Sequence, residues 1–123
     1  YPIDPEFIDM SRIKEISAAE LSQLIQINDA LELVDIRTQA EIERGVIPNA
    51  KTLPMHLVPL NLDYFSSTQN QIVIYCRTGS RSAQVCRFLN QQGFNNAINL
   101  RGGIVKWASS GLPMAAEASG LIA

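Results

Sequence analysis

Apolar runs too short for anything but strands alternate along this chain with segments whose apolar residues recur at helical spacing. Ile13-Lys14-Glu15-Ile16 reads as a short edge strand. Ser17-Ala18-Ala19-Glu20 has the form of a capping box, with Ser17 at the N-cap and Glu20 reaching back to it. Leu21, Leu24 and Ile25 then form the stripe of a helix that ends near Asn28-Asp29. Leu31 to Ile36 is a strand, and Thr38-Gln39-Ala40-Glu41 is a second capping box opening a short helix stopped by Gly45. Lys51-Thr52-Leu53-Pro54 suits only a strand tipped by proline. Leu57 to Phe65 has mixed spacing, a weak helix or a loop, and Ser66 to Gln71 is a polar connector. Residues 72–76 form a strand, 80–92 a helix closed by Gly93, Ala97 to Leu100 a strand, and Gly103 to Ser109 a last helix before Gly111 and Pro113.

Five strands separated by helical or irregular connections predict an α/β domain, with a mostly parallel sheet covered by helices on both faces. Ligands of such sheets sit beyond the carboxyl ends of the strands. Two segments fall there: Asp35-Ile36-Arg37 after one strand, and Cys76 after another. The fold is expected over residues 11–113. Asp4-Pro5-Glu6-Phe7 reads as a cloning remnant, which sets residues 1–10 apart as disordered or non-native. The Ala-rich stretch 114–123 reads as a flexible, unanchored tail.

Composition narrows the class. The chain has 123 residues, 46% of them hydrophobic and 18% charged, enough for one domain with its own core. No apolar run approaches the roughly 20 residues that span a bilayer, so the expectation is a soluble, membrane-free monomer. The expected location is the cytoplasm, or the periplasm if a signal peptide has been removed. Two cysteines and one histidine, with no Cys-x-x-Cys, support neither a disulfide framework nor a metal site. No cofactor is called for.

The net charge of −2 conceals an asymmetry. Residues 1–63 carry eleven acids against five bases, a balance of −6, whereas residues 64–123 carry five bases against one acid, a balance of +4. The half containing Cys76 is thus basic, which suits a small anionic substrate. Two signs solvated on separate faces is the plainer alternative. Nucleic acid is a poor fit, because the bases are few and lack an aromatic platform.

The candidate chemistry lies in Cys76-Arg77-Thr78-Gly79-Ser80-Arg81, between a strand and a helix. A strand running through a tight turn into a helix N-terminus aims several unpaired N–H groups into the turn, and these form an anion site. A cysteine at its base, with Arg77 and Arg81 nearby, is favoured as thiolate. The competing reading is a cysteine merely packed at a strand end. Cys86 shares a helix face with Ser82, Val85 and Leu89, which makes it a packing residue rather than a resolving thiol.

With these residues in view, the chain resembles the single-domain rhodanese (thiosulfate sulfurtransferase) family from about Ile16 to Pro113. The resemblance rests on Leu33-Val34-Asp35-Ile36-Arg37 with Glu41, Gly45 to Ala50, the Cys76–Arg81 loop followed by Ser82-Ala83, Gly93-Phe94, and Leu100-Arg101-Gly102-Gly103 with Trp107. Val46 and Asn49 depart from it, standing where the family commonly has His and Gly. Both positions read as support beneath the site.

The resemblance implies a rhodanese-like three-layer fold around a five-stranded sheet. It makes Cys76 the nucleophile that takes a sulfane sulfur from thiosulfate, or from a persulfide donor, and passes it to cyanide, a thiol or a protein acceptor. Arg77, Thr78, Gly79, Ser80 and Arg81 would bind the anion, through loop N–H groups, hydroxyls and guanidinium forks. Asp35 and Arg37 would brace the loop, with Arg37 paired to Glu41. Nothing puts His56 near Cys76, and Trp107 would pack in the core or wall the pocket. Two alternatives remain. One is a non-enzymatic rhodanese module for persulfide delivery or partner binding. The other is a Cys-dependent phosphatase or arsenate reductase, disfavoured because four residues rather than five separate Cys76 from Arg81.

Overall fold

A computed structural model describes residues 12–122, so the reading of residues 1–10 lies outside the described residues. In chain order the elements are β1 (Lys14–Ile16), α1 (Ala18–Ile27), β2 (Glu32–Asp35), α2 (Gln39–Ile42), β3 (Lys51–Thr52), a 3₁₀ helix (Met55–Leu60), α3 (Leu62–Ser66), β4 (Ile72–Tyr75), α4 (Ser80–Gln91), β5 (Ala97–Leu100), α5 (Gly103–Ser109) and β6 (Gly120–Leu121). The strands form one sheet in the order β1-β5-β4-β2-β3-β6, and every neighbouring pair is parallel.

Both capping boxes form. The Ser17 hydroxyl accepts the Glu20 N–H while Glu20 accepts the Ser17 N–H, and Thr38 and Glu41 exchange the same pair of bonds. Gly93, at φ 93°, closes α4, and the Phe94 N–H returns to the Leu89 carbonyl at 3.0 Å.

The central strands are apolar on both sides because both sides are covered. Leu33, Val73, Tyr75, Ile98 and Leu100 pack with Leu21 of α1 and Trp107 of α5. Val34, Ile72, Ile74 and Ala97 pack on the other face with Phe65, Val85, Cys86 and Leu89. Trp107 is therefore a core residue, and its indole N–H donates to the Pro113 carbonyl at 2.7 Å. Among the described residues no helix is long and apolar enough to cross a membrane.

The sheet has six strands rather than five. The stretch after Met114, expected to be unanchored, runs back along the sheet edge. Val46 and Ala115 exchange backbone bonds of 2.8 Å, the Ser119 N–H reaches Ala50, and Gly120–Leu121 pairs with Lys51–Thr52. These contacts are made by backbone atoms, so no side-chain period announces them. Asn49 adopts φ 71°, a conformation that Asn tolerates better than most residues, and so keeps the turn where glycine was expected. Val46 is fully buried beneath the returning segment.

Candidate active site

Parallel pairing sets the ends of β2 and β4 side by side, with Asp35 opposite Tyr75. The residues that follow each strand, Ile36-Arg37 and Cys76-Arg77, therefore emerge together at the carboxyl edge. Cys76 is buried, and Gly79 lets the chain turn into α4 through φ 101°. The Gly79 N–H points at Cys76 Sγ from 3.1 Å, and the Ser82 N–H and Ser82 Oγ each lie 3.4 Å from it.

Helix α5 holds this loop from below. The Ile104 N–H binds the Cys76 carbonyl at 3.0 Å and the Val105 N–H binds the Arg77 carbonyl at 3.1 Å. In a trans peptide the C=O and N–H point opposite ways, so anchoring the Arg77 carbonyl turns the Thr78 N–H toward the sulfur. Such an approach requires glycine. A Cβ on Gly103 would stand 2.3 Å from the Arg77 carbonyl oxygen and 2.6 Å from that of Cys76.

Electrostatics follow from these contacts. Burial pushes the Cys76 thiol up, but the Ser82 hydroxyl and the N–H groups of Ser82, Gly79 and Thr78 outweigh it and hold the thiol below its ordinary value. Cys86 has no such donors, and burial pushes it up to about 12. The two thiols are thus shifted in opposite directions, Cys76 toward the anion and Cys86 away from it.

Ser82 was read from sequence as part of the core face of α4. It is fully buried, but its Oγ also lies 2.5 Å from Asn99 Oδ1, and Asn99 Nδ2 donates to Glu15 at 2.9 Å. The available signal was Asn99 itself, an amide inside the otherwise apolar Ala97–Leu100 strand.

Asp35 and Arg37 form a buried pair. Arg37 Nη2 meets Asp35 Oδ2 at 2.7 Å, Nε sits 3.0 Å from both carboxylate oxygens, and Nη2 also reaches the Gly45 carbonyl at 2.6 Å. The pair thus ties the ends of β2 and α2 together beside the loop. The expected Arg37–Glu41 side-chain pair is not made. Asp35 saturates the Arg37 fork from two residues away, and Arg37 touches only the Glu41 carbonyl, at 3.3 Å. The Glu41 carboxylate turns to Arg81 instead, with bonds of 2.9 and 2.8 Å. Hydrogen bonds from Arg81, with those from Thr38, bring Glu41 down to about 2.

Arg77, Thr78 and Ser80 are exposed around the loop, and Gly79 is buried within it. A cleft of about 700 Å³ opens beside Arg81, walled by Ile36, Pro54, Met55 and Pro59, with Arg37 and His56 at its margin. The groups hydrogen-bonded to Sγ are those of Gly79 and Ser82, and His56 is not among them.

A buried cysteine whose sulfur accepts backbone N–H groups, in a loop at the carboxyl edge of a parallel sheet, defines the class of α/β domain to which this chain is compared. The rhodanese-like domain model matches residues 17–110, and the chain belongs to that family. A sulfurtransferase of Allochromatium vinosum is 48% identical over 85% of this chain and 96% of that protein. YtwF of Bacillus subtilis is 36% identical over 82% of this chain and 96% of its own length. Among solved structures, a rhodanese-like domain protein from Staphylococcus aureus aligns with a TM-score of 0.71 at 37% identity, covering 77% of this chain and 91% of that one.

Proposed function

We propose that this chain is a sulfurtransferase that carries a sulfane sulfur as a persulfide on Cys76. The observation that carries the reading is the convergence of the Gly79 N–H, the Ser82 N–H and the Ser82 hydroxyl on one buried Sγ, which has no hydrogen bond to His56. Donors that favour the thiolate ease ionisation of the thiol without a base. The same donors suit a persulfide anion, as an oxyanion hole suits oxygen.

Thiosulfate is the proposed donor, with other persulfides as alternatives. The Cys76 thiolate attacks the outer sulfur, the new S–S bond forms, the old one breaks, and sulfite leaves with the electron pair. An acceptor thiolate then attacks the outer sulfur of the persulfide, and Cys76 departs as thiolate. The bound sulfur extends the reach of a buried Sγ by about 2 Å, one S–S bond length. Arg77 stands at the loop mouth for the sulfonate oxygens, and Thr78 and Ser80 offer hydroxyls. A thiol, small or protein-borne, is the proposed physiological acceptor, and the asymmetric charge of the chain favours an anionic donor.

Mass spectrometry of protein treated with thiosulfate provides the test. One sulfur should be added to wild type and to Cys86→Ser, and none to Cys76→Ser. Loading of the Cys76→Ser variant, or failure of wild type to load from any sulfane donor, would overturn the proposal.

A further inference from the structure

We infer that Glu41 is a specificity-determining residue that withholds Arg81 from anions bound at the Cys76 loop, and so sets how tightly a dianionic donor is held. This rests on the sulfur-transfer reading for its biological meaning, but its geometry stands apart from that reading. Arg81 lies in the first turn of α4, one residue before Ser82, and its charge would be expected to serve the cradle. Instead Nη1 and Nη2 are each spent on a separate oxygen of Glu41, the end-on fork that matches a carboxylate best.

The clamp is preorganised from the far side. The same Glu41 oxygen that takes Nη1 also accepts the Thr38 N–H and the Thr38 hydroxyl, each at 3.1 Å. Glu41 is therefore fixed by the start of its own helix and does not search for Arg81. An anion wanting both guanidinium N–H groups must displace a carboxylate that is already ionised and accepts four hydrogen bonds, two of them from Arg81. Arg77, exposed and without a salt bridge among the described residues, carries no such tie. The two loop arginines, equivalent in sequence, are thus unequal: one is free for a sulfonate and the other is held in reserve. Neutral or thiol-borne donors, which need no second fork, escape the penalty.

The experiment reads anion binding without turnover. Sulfate is titrated for its protection of Cys76 against alkylation by iodoacetamide, in wild type, Glu41→Gln and Glu43→Gln. Glu43 ends the same helix and is exposed, so its variant matches the charge change without touching Arg81. Glutamine at 41 keeps an oxygen for the Thr38 N–H. Glu41→Gln should lower the half-protecting sulfate concentration roughly tenfold, the worth of one charge-assisted hydrogen bond released to the anion. Glu43→Gln should stay within about twofold of wild type, since exposed charges at a distance are screened. Arg81→Ala should abolish the gain when combined with Glu41→Gln, and alone should change wild-type protection less than about threefold. This last pair keeps the test decisive if Glu41→Gln folds poorly.

Weaker protection in Glu41→Gln would mean that Glu41 presents Arg81 to the anion through its remaining N–H groups, and would overturn the inference. An unchanged value, or equal gains in both Gln variants, would do the same. Failure of wild type to form a persulfide would sink the proposed function and leave the protection result standing.

Discussion

Replacing Gly103 by alanine should break the site from beneath, through the backbone of Cys76 and Arg77 and with every side chain that meets substrate unchanged. The new Cβ would fall 2.3 Å from the Arg77 carbonyl oxygen, about 1 Å short of an ordinary contact. The neighbour is backbone, so nothing can swing aside. Either the loop lifts or α5 retreats, and both routes stretch the Ile104–Cys76 and Val105–Arg77 bonds. The two bonds are worth about 1 kcal/mol each, and a non-glycine residue at φ 59° costs a further 1–2 kcal/mol or so. The sum, about 3–4 kcal/mol, is a large part of the roughly 5–15 kcal/mol that holds a domain together. A fall of more than about 10 °C in Tm should follow. Turning one N–H away from Sγ should cost about a hundredfold in kcat/KM among the molecules still folded, by analogy with the loss of an oxyanion donor. Gly111→Ala supplies the control, because Gly111 has φ 76° but open space where its Cβ would go. That variant should pay only the conformational cost and keep its activity. Calorimetry and sulfur-transfer kinetics on both variants decide the matter. If Gly103→Ala matched Gly111→Ala in Tm and in kcat/KM, the loop would not be held by α5 as described.

Three further outcomes are expected. Ser82→Ala should raise the midpoint of Cys76 alkylation against pH, because it removes a donor that favours the thiolate; an unchanged midpoint would show that the Ser82 proton stays on Asn99. Arg77→Ala should lower kcat/KM for thiosulfate about tenfold or more, yet leave Cys76 loading from a neutral persulfide donor intact; equal loss on both would assign Arg77 to the thiolate instead of the sulfonate. The Glu41 carboxylate is lowered on folding, so its stabilisation is full above its ordinary value near 4.5 and is lost as pH falls toward about 2. The Tm difference between wild type and Glu41→Gln should therefore narrow through that acid window, and a gap independent of pH there would contradict the Arg81–Glu41 pairing.

Much of this molecule could be read from its sequence because the relevant physics is local. Ser17 with Glu20, and Thr38 with Glu41, lie three residues apart and cap their helices whatever else surrounds them. Short apolar runs between helical periods left little choice but a parallel sheet, and the run Ile72–Tyr75 put Cys76 at its carboxyl edge. Tertiary structure decided what depends on partners distant in the chain. The sixth strand is recruited by backbone groups of Lys51 and Thr52, which leave no trace in the side-chain pattern around Gly120. Arg37 had two carboxylates within reach in sequence, and the turn after β2 brought Asp35 to its fork first, leaving Glu41 to Arg81 forty residues away. Gly102-Gly103 could be seen as a pair of glycines, but only the packing of α5 under the loop showed that one of them has no room for a single carbon. Spacing along the chain governs the hydrogen bonds a residue makes with its own helix or turn. The choice among competing distant partners belongs to the fold, because it follows from which groups packing brings together and which are already satisfied.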